Sequence, residues 1–438
     1  MAAMASASTP TVGVVGAGTM GAGIAEAAAR AGCPVRLHDA FPEAIGRGLE
    51  RIEKSLRRSA ERGSISDDDA KSALARLEAA ERLEALTGCD VVIEAAPEDR
   101  AIKEDLFRRL DAACPAPAVL ATNTSSLSVT AIGASVADPG RVVGMHFFNP
   151  APVMRLVEVV AGAQSRSEAV QTAEELAQRM GKTPVRASDT PGFIVNRVAR
   201  PFYGEALRML GEGIGGPGGK GSPSSVEAID ATMRELGYRM GPFELIDLIG
   251  VDVNLAVTRS VWEATFYEPR YRPHSIQARL VEAGMHGRKT GRGFYGYDAG
   301  GTRLGPSQGV EPVRPAEAAP AVALPGGIEA AATIVAGRLG LPESALDDGR
   351  AAIAARMLAM LVNEAVFAVD DGVASPEGID TALRLGANHP KGPFQWMSEL
   401  GPGLAFALMD GLWDWYREER YRPAPGLRLR AQKGEPDA

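Results

Sequence analysis

The chain has 438 residues, enough for two or three domains with proper cores, and its apolar share of 45% is ordinary for a globular protein. A formal charge of −8 gives no basis for binding nucleic acid or an anionic membrane surface, and no run approaches the ~20 apolar residues of a membrane span. Cys33, Cys89 and Cys114 suggest neither a disulfide framework nor a metal site, and the small, polar opening residues lack a leader pattern, so a cytoplasmic protein is expected.

The first element is the apolar run Val12–Val15, of strand length, followed at once by Gly16-Ala17-Gly18-Thr19-Met20-Gly21. An alanine-rich helical stretch comes next, then a second strand, Val35–His38, closed by Asp39. Strand, tight turn, helix, strand and acid in that order predict a dinucleotide site. Gly16 allows the turn, Gly18 lets backbone approach a diphosphate, and Gly21 packs helix on sheet. Thr19 and Met20 open the helix whose unpaired amides face the phosphates. Asp39, 23 residues after Gly16, is placed to hold ribose hydroxyls. A 2′-phosphate about 4 Å from that carboxylate would be repelled by ~4 kcal/mol at an effective dielectric of ~20. Ala40 and Phe41 follow instead of an arginine, so NAD is favoured over NADP.

Residues 43–82 are charged and helical in pattern, with a break at 63–66 where Ser66 and Asp69 have the spacing of a helix cap. This reads as a helical hairpin inserted into the nucleotide domain. Lys54 and Arg57 on it are candidates to meet phosphates of an anionic ligand, a solvated helix face being the alternative. Residues 90–95, 119–123 and 141–148 read as further strands, with a helix over 100–113. Such alternation implies a parallel, doubly wound α/β sheet of Rossmann type, whose ligands sit beyond the carboxyl ends of the strands. Glu98, Asn123, Ser125 and His146 lie near those ends.

A histidine among Met145, Phe147 and Phe148 is ordinarily a satisfied core residue. Here Glu158 follows twelve residues on, within an apolar run where an isolated carboxylate is costly. Asn149-Pro150-Ala151-Pro152 turns the chain between them. Two antiparallel strands across that turn would bring Glu158 to the imidazole, fixing one ring nitrogen and leaving the other as a base.

Four stretches together resemble the (S)-3-hydroxyacyl-CoA dehydrogenase family. They are Asn123-Thr124-Ser125-Ser126-Leu127, the run from Met145 to Met154, Asp189-Thr190-Pro191-Gly192-Phe193-Ile194-Val195-Asn196-Arg197, and Gly287-Arg288-Lys289-Thr290-Gly291-Arg292-Gly293-Phe294-Tyr295. The resemblance implies that His146 is the general base and Glu158 its orienting partner. It implies that Ser125 and Asn196 hydrogen-bond the substrate, and that Glu98 and Lys103 touch the nicotinamide nucleotide. Asn123 and Asn149 fall at further cofactor-side positions. Arg155 departs from the lysine many members carry but keeps the charge.

Residues 191–298 change to a helical pattern without further βαβ units, and the glycine-rich stretch 215–221 reads as a flexible surface insertion. Residues 299–345, rich in proline, glycine and alanine, read as a linker. Beyond it the chain repeats itself: Glu205-Ala206 recurs as Glu364-Ala365, Ile229-Asp230 as Ile379-Asp380, and Gly241-Pro242-Phe243 as Gly392-Pro393-Phe394. Counting back from Glu364 puts Arg356 opposite Arg197 but Ala355 opposite Asn196, so the copy over 346–438 keeps fold signals and loses the amide. The expected organisation is therefore a Rossmann-type domain over 1–190 followed by two related all-α domains. Duplication resembles bacterial members of the family that act on short or dicarboxylic acyl groups such as 3-hydroxybutyryl- or 3-hydroxyadipyl-CoA, in fatty-acid or phenylacetate breakdown. It leaves both a homodimer and a monomer open, because short members pair through this helical domain. A β-hydroxyacid dehydrogenase acting on free acids is a second reading, weakened by the absence of a lysine near Asn196. A non-catalytic nucleotide-binding relative is a third, weakened by the complete set Ser125, His146, Glu158 and Asn196.

Overall fold

Short runs of β-branched and apolar residues, each ended by a turn or a cap, build one eight-stranded sheet in this computed structural model, which describes residues 9–213, 225–310, 328–347 and 349–434. The strands are β1 (Val12–Val15), β2 (Val35–His38), β3 (Leu77–Ala80), β4 (Val91–Glu94), β5 (Val119–Thr122), β6 (Val142–Phe147), β7 (Leu156–Ala161) and β8 (Thr183–Ser188). Their spatial order is β3-β2-β1-β4-β5-β6-β7-β8, parallel from β3 to β6, with β7 antiparallel to β6 and β8 parallel to β7. The order reverses at β1, so a crevice opens between β1 and β4, where a doubly wound sheet takes its ligand.

Helix α1 (Thr19–Arg30) follows β1 and buries nearly its whole length, which its alanines and glycines permit. The hairpin is α2 (Pro42–Glu61) and α3 (Asp67–Leu74). Ser66 caps α3 by accepting from the Asp69 amide at 3.0 Å, and the Asp69 carboxylate returns to the Ser66 hydroxyl at 2.7 Å. The excursion also adds β3 to the edge of the sheet, paired in register with β2. Leu77-Glu78-Ala79-Ala80 carries no β-branched residue, and the open edge of β2 is what extends it.

Contacts divide the chain into two units, Met1–Phe193 and Ile194–Ala438. The second is helical, with a small hairpin of β9 (Tyr295–Tyr297) and β10 (Arg303–Pro306). The repeated Ile-Asp and Gly-Pro-Phe motifs have one structural explanation. Asp230 accepts from the Phe243 and Glu244 amides at the start of the helix Pro242–Ile249, and Asp380 accepts from Phe394 and Gln395 at the start of Pro393–Leu400. A Cβ on Gly241 or Gly392 would strike that aspartate.

Two sequence expectations need correction. The stretch 299–345 is not all linker: β10 and the helix Ile328–Leu339 lie within it, and Ala331, Ala332, Val335 and Ala336 are buried against the helix Arg350–Asp370. That last helix is itself long and apolar enough to cross a membrane by length and composition, but 94% of its apolar window is buried inside the protein. It is a core helix, and the two charges in its interior, Arg356 and Glu364, find ion-pair partners there. The glycine-rich stretch 215–221 lies outside the described residues.

Candidate active site

The glycine turn separates three geometric demands. Gly16 has φ +101°, and a Cβ there would lie 2.5 Å from the Ala95 carbonyl oxygen; at Gly21 it would lie 1.7 Å from that of Gly16. These two glycines serve the packing of turn, strand and helix. A Cβ on Gly18 would meet no protein atom within 4 Å. That residue is exposed, together with Thr19, and is the N-cap of α1 with no side-chain cap. The open space therefore lies against the uncapped amides of the helix N-terminus, a cradle suited to a diphosphate. The Asp39 carboxylate accepts from the Ala17 amide at 2.7 Å and from Phe41 at 3.0 Å, which fixes it against the turn while leaving acceptor capacity for hydroxyls. The residues present fit a dinucleotide.

No motif marks Arg51. It lies one turn after Gly48, whose missing side chain lets α2 close on Ala17, and its guanidinium donates to the Ala17 carbonyl at 3.3 Å. The glycine was the available signal. Lys54 and Arg57 are exposed farther along α2, and Arg57 stands 3.9 Å from Glu61.

At the ends of β4 and β5 a buried network forms. Lys103 is 1% exposed and pairs with Glu94 at 2.5 Å and with Glu98 at 3.5 Å. Glu94 also accepts from the Thr122 hydroxyl at 2.7 Å. The ammonium thus stands behind Glu98, not at an open surface. One oxygen of Glu98 accepts from the Thr124 hydroxyl at 2.6 Å, the Ser125 amide at 2.8 Å and the Ser125 hydroxyl at 3.2 Å. Burial alone would raise its carboxyl, but the Thr124 hydroxyl, the Lys103 charge and the Ser125 amide hold it below the usual range. Ser125 is thereby oriented by Glu98. Asn123 accepts from the Phe147 amide at 2.8 Å, tying the end of β5 to the end of β6.

His146 and Glu158 are directly opposed in the β6–β7 ladder, and Nδ1 lies 2.6 Å from Oε2. Glu158 is fully buried and His146 nearly so. A carboxylate at Nδ1 selects the tautomer with the proton there, which leaves Nε2 as a lone-pair base. The ring packs against Phe148, centroids 4.5 Å apart, and Phe193, at 5.9 Å. Asn149 is exposed in the turn that follows. Lys182, also unmarked by any motif, spans that turn from just before β8: buried, it donates to the carbonyls of Ala151 at 2.6 Å and Met154 at 2.8 Å. Burial pushes its ammonium down to about 8. Asn196 is half-buried on the helix Val195–Val198 of the second unit. Among the described residues no group of three or more His, Cys, Asp or Glu side chains is placed to hold a metal ion.

Comparison with known proteins shows the family. Residues 11–190 match the family description "3-hydroxyacyl-CoA dehydrogenase, NAD binding domain", and the corresponding "C-terminal domain" matches twice, over 192–297 and 353–437. The 3-hydroxyadipyl-CoA dehydrogenase of Escherichia coli K12 is 41% identical over 96% of this chain and 97% of its own. A probable 3-hydroxybutyryl-CoA dehydrogenase of Bacillus subtilis is 43% identical over 65% of this chain and 96% of its own. The crystal structure of a 3-hydroxybutyryl-CoA dehydrogenase from Escherichia coli K12 superposes with a TM-score of 0.82 at 38% identity, covering 98% of this chain and 99% of that one.

Proposed function

The chain belongs to the 3-hydroxyacyl-CoA dehydrogenase family, and from that premise we propose that it oxidises a short or dicarboxylic (S)-3-hydroxyacyl-CoA to the 3-oxoacyl-CoA, with NAD as cofactor. The observation that carries the reading is the His146–Glu158 pair at 2.6 Å, set at the end of a strand in the same sheet as the glycine turn.

Bound NAD supplies the hydride acceptor. The chain's own part is to remove the hydroxyl proton as the carbon gives up hydride, and Nε2 of His146 takes it while Glu158 steadies the resulting imidazolium. Ser125, held by Glu98, and Asn196 serve as hydrogen-bonding groups for the substrate, the Ser125 hydroxyl as an acceptor while its proton is given to Glu98. Such positioning carries the larger share of the barrier reduction. Asp39 supports NAD over NADP, since a 2′-phosphate would meet a carboxylate already fixed by two amides. A reducing cytoplasm suits three cysteines that are free and buried.

Two of the relatives carry different substrate names, hydroxyadipyl and hydroxybutyryl, so acyl length is the open choice. The test is NADH formation with 3-hydroxybutyryl-CoA, 3-hydroxyadipyl-CoA and free 3-hydroxybutyrate. Turnover on a thioester with none on the free acid is expected, and the ratio of kcat/KM assigns acyl length. Turnover on the free acid alone would overturn the reading.

A further inference from the structure

A cavity of about 440 Å³ opens in the second unit, lined by Arg234, Arg239, Arg288 and Arg303 together with Glu244, Tyr297, Met240 and Leu248. Four guanidinium groups face one carboxylate in a chain whose net charge is −8. That carboxylate is already committed. Glu244 accepts from Arg234 at 2.5 Å, from Arg303, and from the Gly241 amide at 3.0 Å. The Arg239 and Arg288 side chains have no hydrogen-bond or ion-pair partner among the described residues. The acids behind the wall are engaged as well: Asp247 by the Phe294 and Tyr295 amides and the Tyr297 hydroxyl, Asp230 by two amides and the Tyr295 hydroxyl. The wall is built for these groups. Arg303 stacks on the Tyr295 ring at 4.8 Å, and Arg288 lies so close over Gly301 that a Cβ there would come within 2.8 Å of its Nε.

The second helical copy lacks this arrangement. Arg384 stands where Arg234 does, but Pro390 replaces Arg239 and Gln395 replaces Glu244. The cavity is thus not a by-product of the repeated fold. Its chemistry is specific: planar guanidiniums present paired donors that match phosphate oxygens, while Tyr297, Met240 and Leu248 offer an apolar wall to a ring. We infer that this cavity binds a nucleoside diphosphate, at a site distinct from the glycine turn of the first unit. Two sources carry that chemistry, a free nucleotide such as ADP and the nucleotide end of coenzyme A.

The experiment uses the full-length enzyme saturated with NADH, so that the dinucleotide site is filled. Calorimetric titration with ADP is expected to show one site per chain that weakens as salt is raised. In the Arg239→Ala/Arg288→Ala variant its affinity falls at least tenfold, while Arg384→Ala leaves it unchanged; the variant's own NADH affinity reports that it is folded. Repeating the titration with coenzyme A assigns the source: the ligand that binds more tightly and loses at least tenfold in the double variant is the occupant. Absence of saturable ADP binding, equal affinity in the double variant, or citrate binding as tightly as ADP would each overturn the proposal. None of these outcomes depends on turnover, so failure here is separable from failure of the proposed reaction.

Discussion

Arg197 and Glu364 are 167 residues apart in the chain and 3.0 Å apart in the structure. Their counterparts in the repeat, Arg356 and Glu205, pair with each other in the same way. The correspondence extends outward. Arg197 also reaches Asp371 at 2.5 Å, seven residues after Glu364, and Arg356 reaches Glu212, seven residues after Glu205, at 2.6 Å. Tyr271 donates to Glu364 at 2.6 Å and Tyr421 to Glu205 at 2.8 Å. Each copy's arginine is neutralised by the other copy's acids, so the two copies hold one another through reciprocal buried clusters.

Removing one member of such a cluster strands a buried charge, at a cost of ~3–5 kcal/mol. Glu364→Leu, which takes the buried acid from both Arg197 and Arg270, is expected to lower the urea midpoint accordingly, and Arg197→Met to lower it less, because Glu364 keeps Arg270 at 2.8 Å. The double variant is expected to lose less than the sum, because Arg197 is then gone with its glutamate and Arg270, 2.8 Å from Glu364 in the parent, is the one charge left short. Strict additivity would show that the pair is not coupled.

The same reciprocity gives an expectation for assembly. A chain that satisfies this interface internally has no need of a second copy to cover it. Sedimentation equilibrium of the full chain is expected to return one chain's mass, and a stable dimer would show that another surface pairs.

His146→Gln is expected to lower kcat ~10²–10⁴-fold with NADH affinity within about twofold of the parent, the usual worth of a positioned base. Glu158→Gln tests the other half. The amide keeps the volume but presents a donor where Nδ1–H needs an acceptor, so the wrong tautomer is favoured and kcat falls by a similar factor. Unchanged turnover in either variant would take the pair out of the mechanism.

What could be read from the chain, and what could not, divides along one physical line. The glycine turn, the Ser66–Asp69 cap and the His146–Glu158 opposition are set within about two dozen residues, where periodicity and turn chemistry decide geometry. Arg51, Lys182 and the burial of Lys103 depend on which distant element packs alongside, and no local pattern encodes that. The repeat was visible as matched dipeptides, but not that Arg197 would choose the other copy's glutamate. Similarly β3 exists because β2 leaves an edge to pair with, which its own four residues do not announce.

The glycine turn gives a prediction in which two neighbouring glycines behave differently. Gly18→Ala is expected to leave the melting temperature within about a degree or two, since its Cβ meets no protein atom. It is expected to weaken NADH binding at least tenfold by filling the cradle. Gly16→Ala should instead destabilise the fold, because the residue has positive φ and faces the Ala95 carbonyl at 2.5 Å. Equal NADH affinity in parent and Gly18→Ala would place the diphosphate elsewhere.

Burial raises the Asp230 carboxyl to about 7, against the pull of the Phe243 amide and the Tyr295 hydroxyl. A folded value above the unfolded one means the native state holds the proton while the unfolded chain has released it. This group's contribution to stability is therefore full below the unfolded value near 4 and is lost as pH rises toward 7, by up to ~1.4 kcal/mol per pH unit. Asp230→Asn removes the titration but also replaces one acceptor oxygen with a donor, so the variant is less stable at low pH, where the parent's protonated carboxyl is unpenalised. Urea unfolding of parent and variant from pH 4.5 to 8 isolates the group. The stability difference in the parent's favour is expected to shrink steadily between pH 4.5 and 7 and then level off. A difference that stays constant across that window would mean Asp230 is ionised throughout and that its helix-capping amides outweigh its burial.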